Sequence, residues 1–250
     1  MKIQPIQLQI ALHTLSLHRK STSWGNTEPY LWNIFFRVDG EAITINPDFT
    51  ISGKAIFNFS KGSHNNLRGS IHRDGILHIP QDIGVWQTEL KPIEVPYFEQ
   101  YVPGIAGMIC VLMEENNVSY EGAEAGRVAL GQQVKKAVNS ALKDFHPRAI
   151  DISDVQNSMR NHFQSKVTEF ADGIEHHVIE AIKSRQSLLQ NVWSLIKADA
   201  LVGFHVWNFD HRSLAENNGI QHFNHKWNTK KYGDWEVFGK AEVIEKMVDG

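Results

Sequence analysis

Apolar and polar side chains alternate near the start of this chain, and this period of two limits its fold more than any other feature. The alternation runs from Ile6 to Leu12 and resumes one residue out of step at Leu15 and Leu17. A strand with one buried face gives such a pattern, and a β-bulge gives the shift. The sequence therefore predicts that the chain begins as a half-buried β-strand carrying a bulge.

More strand signals follow, separated by turn residues. Asp39-Gly40 and Asp74-Gly75 are turn sequences, and β-branched or aromatic segments flank them. The predicted strands cover residues 30–38, 42–45, 54–59, 75–79, 85–90 and 105–113, and then 201–209, 220–227 and 235–244. Turn signals at intervals of about 8–12 residues are typical of an antiparallel sandwich or barrel.

Between these two groups of strands the period changes to that of a helix. Ser119 is a predicted N-cap, and apolar residues step by four from Leu130 through Val134 and Val138 to Leu142. A second apolar stripe runs from residue 152 to residue 196. At 1.5 Å per residue this stripe would span about 67 Å, so we expect a bend near Gly173 or in residues 183–186. The short loop between the helices predicts an antiparallel hairpin.

These patterns define the predicted architecture. The fold class is α+β, an antiparallel β-sandwich with an inserted long α-helical hairpin. The sandwich takes residues 1–118 and 200–250 as one domain, and the hairpin takes residues 119–199. An apolar helical stripe most often faces a protein core, so we expect the hairpin to pack on the sandwich.

Composition narrows the class of protein. A chain of 250 residues buries a full core without disulfides, and its one cysteine, Cys110, lies in an apolar run, which favours a buried thiol in a reducing compartment. The net charge of −3 gives no general attraction to nucleic acid. The N-terminus alternates instead of forming the apolar core of a signal peptide, and no apolar run reaches the roughly 20 residues of a spanning helix. We therefore expect a soluble cytoplasmic protein without a nucleic-acid partner.

Two acidic segments carry the functional signal. Glu28-Pro29-Tyr30-Leu31 enters an aromatic strand, and residues 111–121 run from another strand through Glu114-Glu115-Asn116 to Glu121. Both segments resemble the rim loops of a C2 domain, a β-sandwich that holds calcium between carboxylates. In that family one loop ends in an acid before Pro-Tyr, and another carries an acidic-x-acidic pattern with a further acid downstream.

The resemblance implies a calcium site formed by Glu28, Glu114, Asn116 and Glu121. Carboxylate and amide oxygens at about 2.3–2.6 Å are the ligands calcium prefers. The family uses Asp almost throughout, whereas this chain has Glu or Asn, and the upstream acid of the first loop falls near Thr22. The longer side chain of Glu adds a rotatable bond to each glutamate ligand, so we expect a less rigid site than in that family.

The function predicted from these residues is that of a non-enzymatic, C2-like binding module. Its acidic rim would engage calcium and, through the ion, a membrane or a protein partner. No Gly-x-Ser-x-Gly, P-loop, Gly-x-Gly-x-x-Gly or His-Glu-x-x-His motif is present. Trp24, beside the first acidic segment, is expected at the rim, and residues 62–67 are expected to form an ordinary polar connection.

Two alternatives remain open at this stage. In the first, the hairpin of residues 119–199 leaves the sandwich and inserts into a membrane, as in pore-forming proteins. In the second, imidazole and carboxylate ligands form a zinc or iron enzyme. That cluster would comprise His205, Asp210, His211, His222 and His225.

Overall fold

The computed structural model of the chain describes residues 3–20, 27–48, 50–96, 100–115, 119–144 and 201–246. The first twelve elements in chain order are β1 Ile6–Arg19, β2 Pro29–Val38, β3 Ile43–Ile45, β4 Ile51–Gly53, β5 Ile56–Phe59, β6 Gly75–His78, α1 Gln81–Gly84, β7 Val85–Leu90, β8 Ile93–Val95, β9 Gln100–Val102, β10 Ile105–Glu114 and α2 Tyr120–Asp144. The remaining four are β11 Leu201–Asp210, α3 His211–Glu216, β12 Ile220–Thr229 and β13 Gly233–Lys246. Strands dominate, and all of their pairings are antiparallel.

The first sheet has the order β12-β13-β1-β6, and β7 also pairs with β1. β6 and β7 share one edge of β1, because they pair with different lengths of it. The register of β1 against β13 shifts between Leu12 and Thr14. This shift lies where the sequence loses its alternation, so the predicted bulge is confirmed.

The second sheet has the order β11-β10-β2-β5. Every residue of β2 is buried, as are all residues of β10 except Glu114 at its end. Strands buried at consecutive positions are covered on both faces of their sheet. The second sheet is therefore the middle layer of the fold.

A hydrophobic core lies between the two sheets. The first sheet contributes Leu8, Ile10, Leu12, Trp235 and Val237, and the second contributes Leu31, Phe35, Met108, Cys110 and Leu112. The alternation of side chains along each strand sends these residues to the shared interior. The prediction of a mainly antiparallel, sandwich-like β architecture is confirmed.

The opposite face of the second sheet is covered by α2. Ser119 Oγ accepts a hydrogen bond from the Gly122 backbone amide at 3.1 Å, so Ser119 is the N-cap. The buried helical face packs on β2 and β10, and it includes Leu130, Val134, Val138 and Leu142. The first predicted helix is thus observed, whereas the predicted second helix, residues 152–196, lies outside the described residues. No helix in the described ranges has the length and hydropathy needed to cross a membrane.

The two strands that flank the helical region are neighbours in the second sheet. Met113, near the end of β10, pairs with Leu201 at the start of β11. The chain therefore leaves the sheet and returns to it at adjacent positions.

A buried polar network closes the end of the sandwich opposite Glu28. Asp39 accepts from the Arg37 guanidinium at 2.6 Å and from the Lys91 amide at 3.0 Å. His211 Nδ1 accepts from the Gly104 amide at 3.1 Å, and His211 Nε2 donates to the Leu90 carbonyl at 3.1 Å. These bonds fix the neutral imidazole, and burial lowers the pKa of His211.

Candidate functional site

The two acidic segments meet at one end of the second sheet. β2 begins at Pro29 and the antiparallel β10 ends opposite it, where Glu114 pairs with Pro29. One step further out, the Glu115 backbone amide donates to the Glu28 carbonyl oxygen at 3.0 Å. Glu28 and Glu114 thus lie at the same rim, although they are far apart in the sequence.

Consecutive glutamates at the end of β10 have different partners. Glu114 Oε1 accepts a short hydrogen bond from Thr27 Oγ1. Glu115 instead adjoins Glu28: burial raises the pKa of Glu115, His64 opposes the rise, and the Glu28 carboxylate adds to it. The acidic residue that lies beside Glu28 at the rim is therefore Glu115. The acidic-x-acidic pattern selects Glu114 and Asn116 and treats Glu115 as the intervening residue.

Two aromatic side chains adjoin this carboxylate pair. His64 Nε2 lies 3.6 Å from Glu115 Oε1, and the His64 ring packs on Tyr30 with 5.3 Å between ring centroids. Tyr30 is fully buried, and burial together with the Glu115 charge raises the pKa of its hydroxyl. The Tyr30 hydroxyl is therefore close enough to Glu115 to sense its charge.

The connection between β5 and β6 brings His64 to the rim. The Asn66 side chain accepts from the Leu31 amide at 3.0 Å and donates to the Leu31 carbonyl at 2.6 Å, as a neighbouring strand would. Trp32 Nε1 donates to the Ser63 carbonyl at 2.7 Å. The sequence predicts an ordinary polar loop here, because bonds to β2 across such sequence distances leave no local signal.

Several buried polar atoms at this rim have no hydrogen-bond partner in the described part of the chain. They are Tyr30 Oη, His64 Nε2 and Glu115 Oε2. Buried polar atoms are usually paired with protein, water or ligand, so these atoms offer hydrogen-bonding capacity at the rim to a further group. We call Glu28, Tyr30, His64 and Glu115 the rim site.

The other predicted calcium ligands lie differently. Glu121 is exposed in the first turn of α2, where a negative charge is favourable beside the helix N-terminus. Asn116 and Trp24 lie outside the described residues. Within the residues that are described, no three His, Cys, Asp or Glu side chains are grouped so that they could hold a metal ion.

The histidines proposed as a transition-metal cluster do not converge. His205 and His225 stack with 3.8 Å between ring centroids, where β11 and β12 approach each other. His222 lies on the opposite face of β12, paired with Lys240 on β13 and close enough to His13 to lower its pKa. A continuous strand sends residues three apart to opposite faces, and β12 has no bend to reverse this.

The other two members of the proposed cluster have structural roles. Asp210 caps α3 by accepting from the Ser213 amide at 2.7 Å. Both nitrogens of the His211 ring form hydrogen bonds with backbone groups at the end of the sandwich opposite Glu28. The described residues therefore give no support to a metal centre formed by these five side chains.

The chain was compared with family models, curated proteins and solved structures. No family model, no curated protein and no solved structure matches the chain.

Proposed function

We propose that this chain is a non-enzymatic β-sandwich binding module whose rim site takes up a divalent cation, with calcium as the expected ion. The observation that carries the proposal is the backbone hydrogen bond of 3.0 Å between the Glu115 amide and the Glu28 carbonyl, which brings two glutamates to neighbouring strand ends. Two like charges at one place favour a proton or a cation between them, since either relieves their repulsion.

The chemistry of the rim suits a hard cation. Calcium takes six to eight oxygen ligands, and these include carboxylates, backbone carbonyls and water. Glu28 and Glu115 supply carboxylate oxygens, and Glu115 Oε2 is buried without a partner among the described atoms. Two protein carboxylates completed by water and backbone oxygens fit an exchangeable ion better than a permanent structural one.

A bound cation would also determine what the rim contacts. Without the ion, the glutamates at the rim repel an anionic surface. With the ion, the charge at the rim is reversed locally, and the open coordination positions bridge to phosphate or carboxylate groups of a partner. We therefore expect engagement of a membrane or an acidic protein surface to depend on calcium.

Isothermal titration calorimetry with calcium tests the proposal. Wild type should bind the ion, and Glu115→Gln should weaken binding by tenfold or more, because the variant removes the less exposed of the two charges. Glu94→Gln is the matched control, since Glu94 is an exposed glutamate on the short strand β8. Equal affinities for all three proteins would reject the rim as the site, and flat traces for all would reject calcium binding.

A further inference from the structure

β12 forms one edge of the first sheet. Among the residues that the structure describes, it pairs with β13 alone, and it keeps one register from Ile220 to Thr229 without a bulge. A long edge strand presents a row of unpaired backbone N–H and C=O groups. Proteins commonly protect such an edge with a bulge, a proline or a very short strand, and β12, with 10 residues, has none of these. Its backbone can therefore accept a further strand.

One hydrogen bond determines which backbone groups face the open edge. The Val243 amide donates to the Gly219 carbonyl at 2.8 Å, just before β12 begins. Hydrogen-bonded and non-hydrogen-bonded pairs alternate along an antiparallel ladder, so in this register the odd-numbered residues of β12 bond to β13. The even-numbered residues from His222 to Asn228 therefore direct their N–H and C=O groups away from the sheet.

The same even-numbered residues have their side chains exposed on the outer face of the sheet. They are His222, Asn224, Lys226 and Asn228. β12 contains no acidic residue, and the turn that follows it adds Lys230 and Lys231. The open edge thus presents N–H donors and positive charge, which suit carboxylates on an added strand.

Carboxylates on the outer face of β13 already have partners within the sheet. Asp234 accepts from Arg19, Glu236 bonds with His18 and Asn224, and Glu242 accepts from Lys240. Lys226 Nζ lies 3.5 Å from Glu236, and the Lys226 side chain is still 59% exposed. The Lys226 ammonium can therefore pair with a carboxylate beyond the edge.

The inner row of β12 favours apolar side chains instead. The half-buried Phe223 packs on Trp207 with 5.0 Å between ring centroids, and the half-buried His225 stacks on His205 at 3.8 Å. Side chains of an added strand alternate between the two faces, so its inner residues would extend this aromatic row. A second copy of β12 would lack the carboxylates that the outer row suits and would place Lys226 and His222 near their own kind.

We propose that β12 binds an extended segment of a partner protein as an added antiparallel strand. Acidic residues of the segment lie on the outer face beside His222 and Lys226, and apolar residues lie on the inner face beside Phe223 and His225. In strand addition the backbone bonds supply affinity and the alternate side chains supply specificity. β12 contributes no residue to the rim site, so this interaction requires no ion.

NMR with a synthetic peptide tests the added strand. The probe is a capped peptide of alternating glutamate and valine, equal in length to β12, and it is titrated into labelled wild type with a chelator present. We expect saturable shifts and slowed hydrogen exchange at the amides of His222, Asn224, Lys226 and Asn228, because these amides gain partners. A peptide with lysine in place of glutamate should bind at least tenfold more weakly. Absence of saturable binding, equal binding of the two peptides, or shifts centred outside β12 would overturn the proposal.

N-methylated forms of the same peptide test the backbone bonds on unaltered protein. In an antiparallel addition the glutamate amides face β12 and the valine amides face solvent, because hydrogen-bonded partners have their side chains on the same face. Methylation of the glutamate amides should therefore weaken binding at least tenfold relative to methylation of the valine amides. Failure to see this order would overturn the proposal.

A pair of variants tests the protein side of the same bonds. Asn224→Pro removes an N–H that faces the open edge and leaves the bonds to β13 in place, as proline on an edge strand allows. Asn224→Ala loses the same side chain, with its bond to Glu236, and keeps the N–H. We expect the proline variant to bind the probe at least tenfold more weakly than the alanine variant, and equal affinities in folded proteins would overturn the proposal. Self-association of wild type that protects the same amides without peptide would assign the edge to a second copy and overturn it as well.

Discussion

The Glu115 backbone amide donates to the Glu28 carbonyl oxygen at 3.0 Å, and this bond joins two turns that are distant in sequence. Since it extends the ladder between β2 and β10, the position of both glutamates is fixed by the sheet. The two acidic side chains therefore start from neighbouring backbone positions at one rim.

Replacement of Glu28 should stabilise the ion-free protein. Burial raises the pKa of Glu115 and Glu28 adds to the rise; in Glu28→Gln the second contribution is gone, so we expect a melting temperature about 1–3 °C above wild type at pH 7.5. A raised pKa means that the ionised pair costs stability above that pKa, and the cost disappears as Glu115 gains a proton. The gain should therefore shrink towards pH 4. Glu94→Gln, melted in parallel, should show no such dependence on pH.

Calcium should stabilise the folded protein. A ligand at 100 times its Kd, bound only by the folded state, adds about 2.7 kcal/mol to the free energy of unfolding. Thermal melts in calcium should therefore shift upward and return to the starting value after a chelator is added. The same shift in Glu115→Gln would show that the ion binds elsewhere.

His211, at the end of the sandwich opposite Glu28, should make the stability of the protein depend on pH. Its folded pKa lies below the unfolded value of about 6.5, so the unfolded state binds more protons and stability falls as pH drops below that value. His211→Ala leaves the Gly104 amide and the Leu90 carbonyl unpaired, at a cost of about 2–4 kcal/mol. Urea unfolding between pH 5 and 8 should show a weaker pH dependence in the variant. His78→Ala, at an exposed position on β6, should retain the wild-type dependence.

Docking of α2 on the second sheet can be tested with a pair of nearby side chains. Leu130 is fully buried against β2 and β10, and Val128 is 44% exposed on the same helix. Leu130→Ala should lower the free energy of unfolding by about 2–5 kcal/mol, and Val128→Ala should change it by less than about 0.5 kcal/mol. Equal small effects would mean that the helix does not depend on this contact and is free to leave the sheet.

Much of the β framework could be predicted from local pattern. Val85–Leu90 forms a strand with the predicted bounds, and the change of phase after Leu12 marks the bulge in β1. These features depend on burial of alternate side chains, which the sequence displays directly. The sequence also indicates that the second sheet is covered on both faces, by the first sheet and by α2. β2 is apolar at consecutive positions, which is typical of a strand buried on both sides.

The rim could be located from sequence only in part. Glu28 and the end of β10 were expected together, and they lie at one rim. The choice between Glu114 and Glu115 depends on which face of the strand end each side chain takes, and the pattern alone does not determine this. His64 reaches the rim through bonds between its loop and β2, which form across the fold and have no local trace.

The most direct test locates the ion at atomic resolution. Calcium is titrated into isotopically labelled protein, and the backbone amide signals are followed by NMR at neutral pH. The account predicts that the largest shifts fall on Glu28, His64 and Glu115, and that they vanish in Glu115→Gln. Saturable shifts centred elsewhere, with the Glu28 and Glu115 signals unmoved, would contradict it.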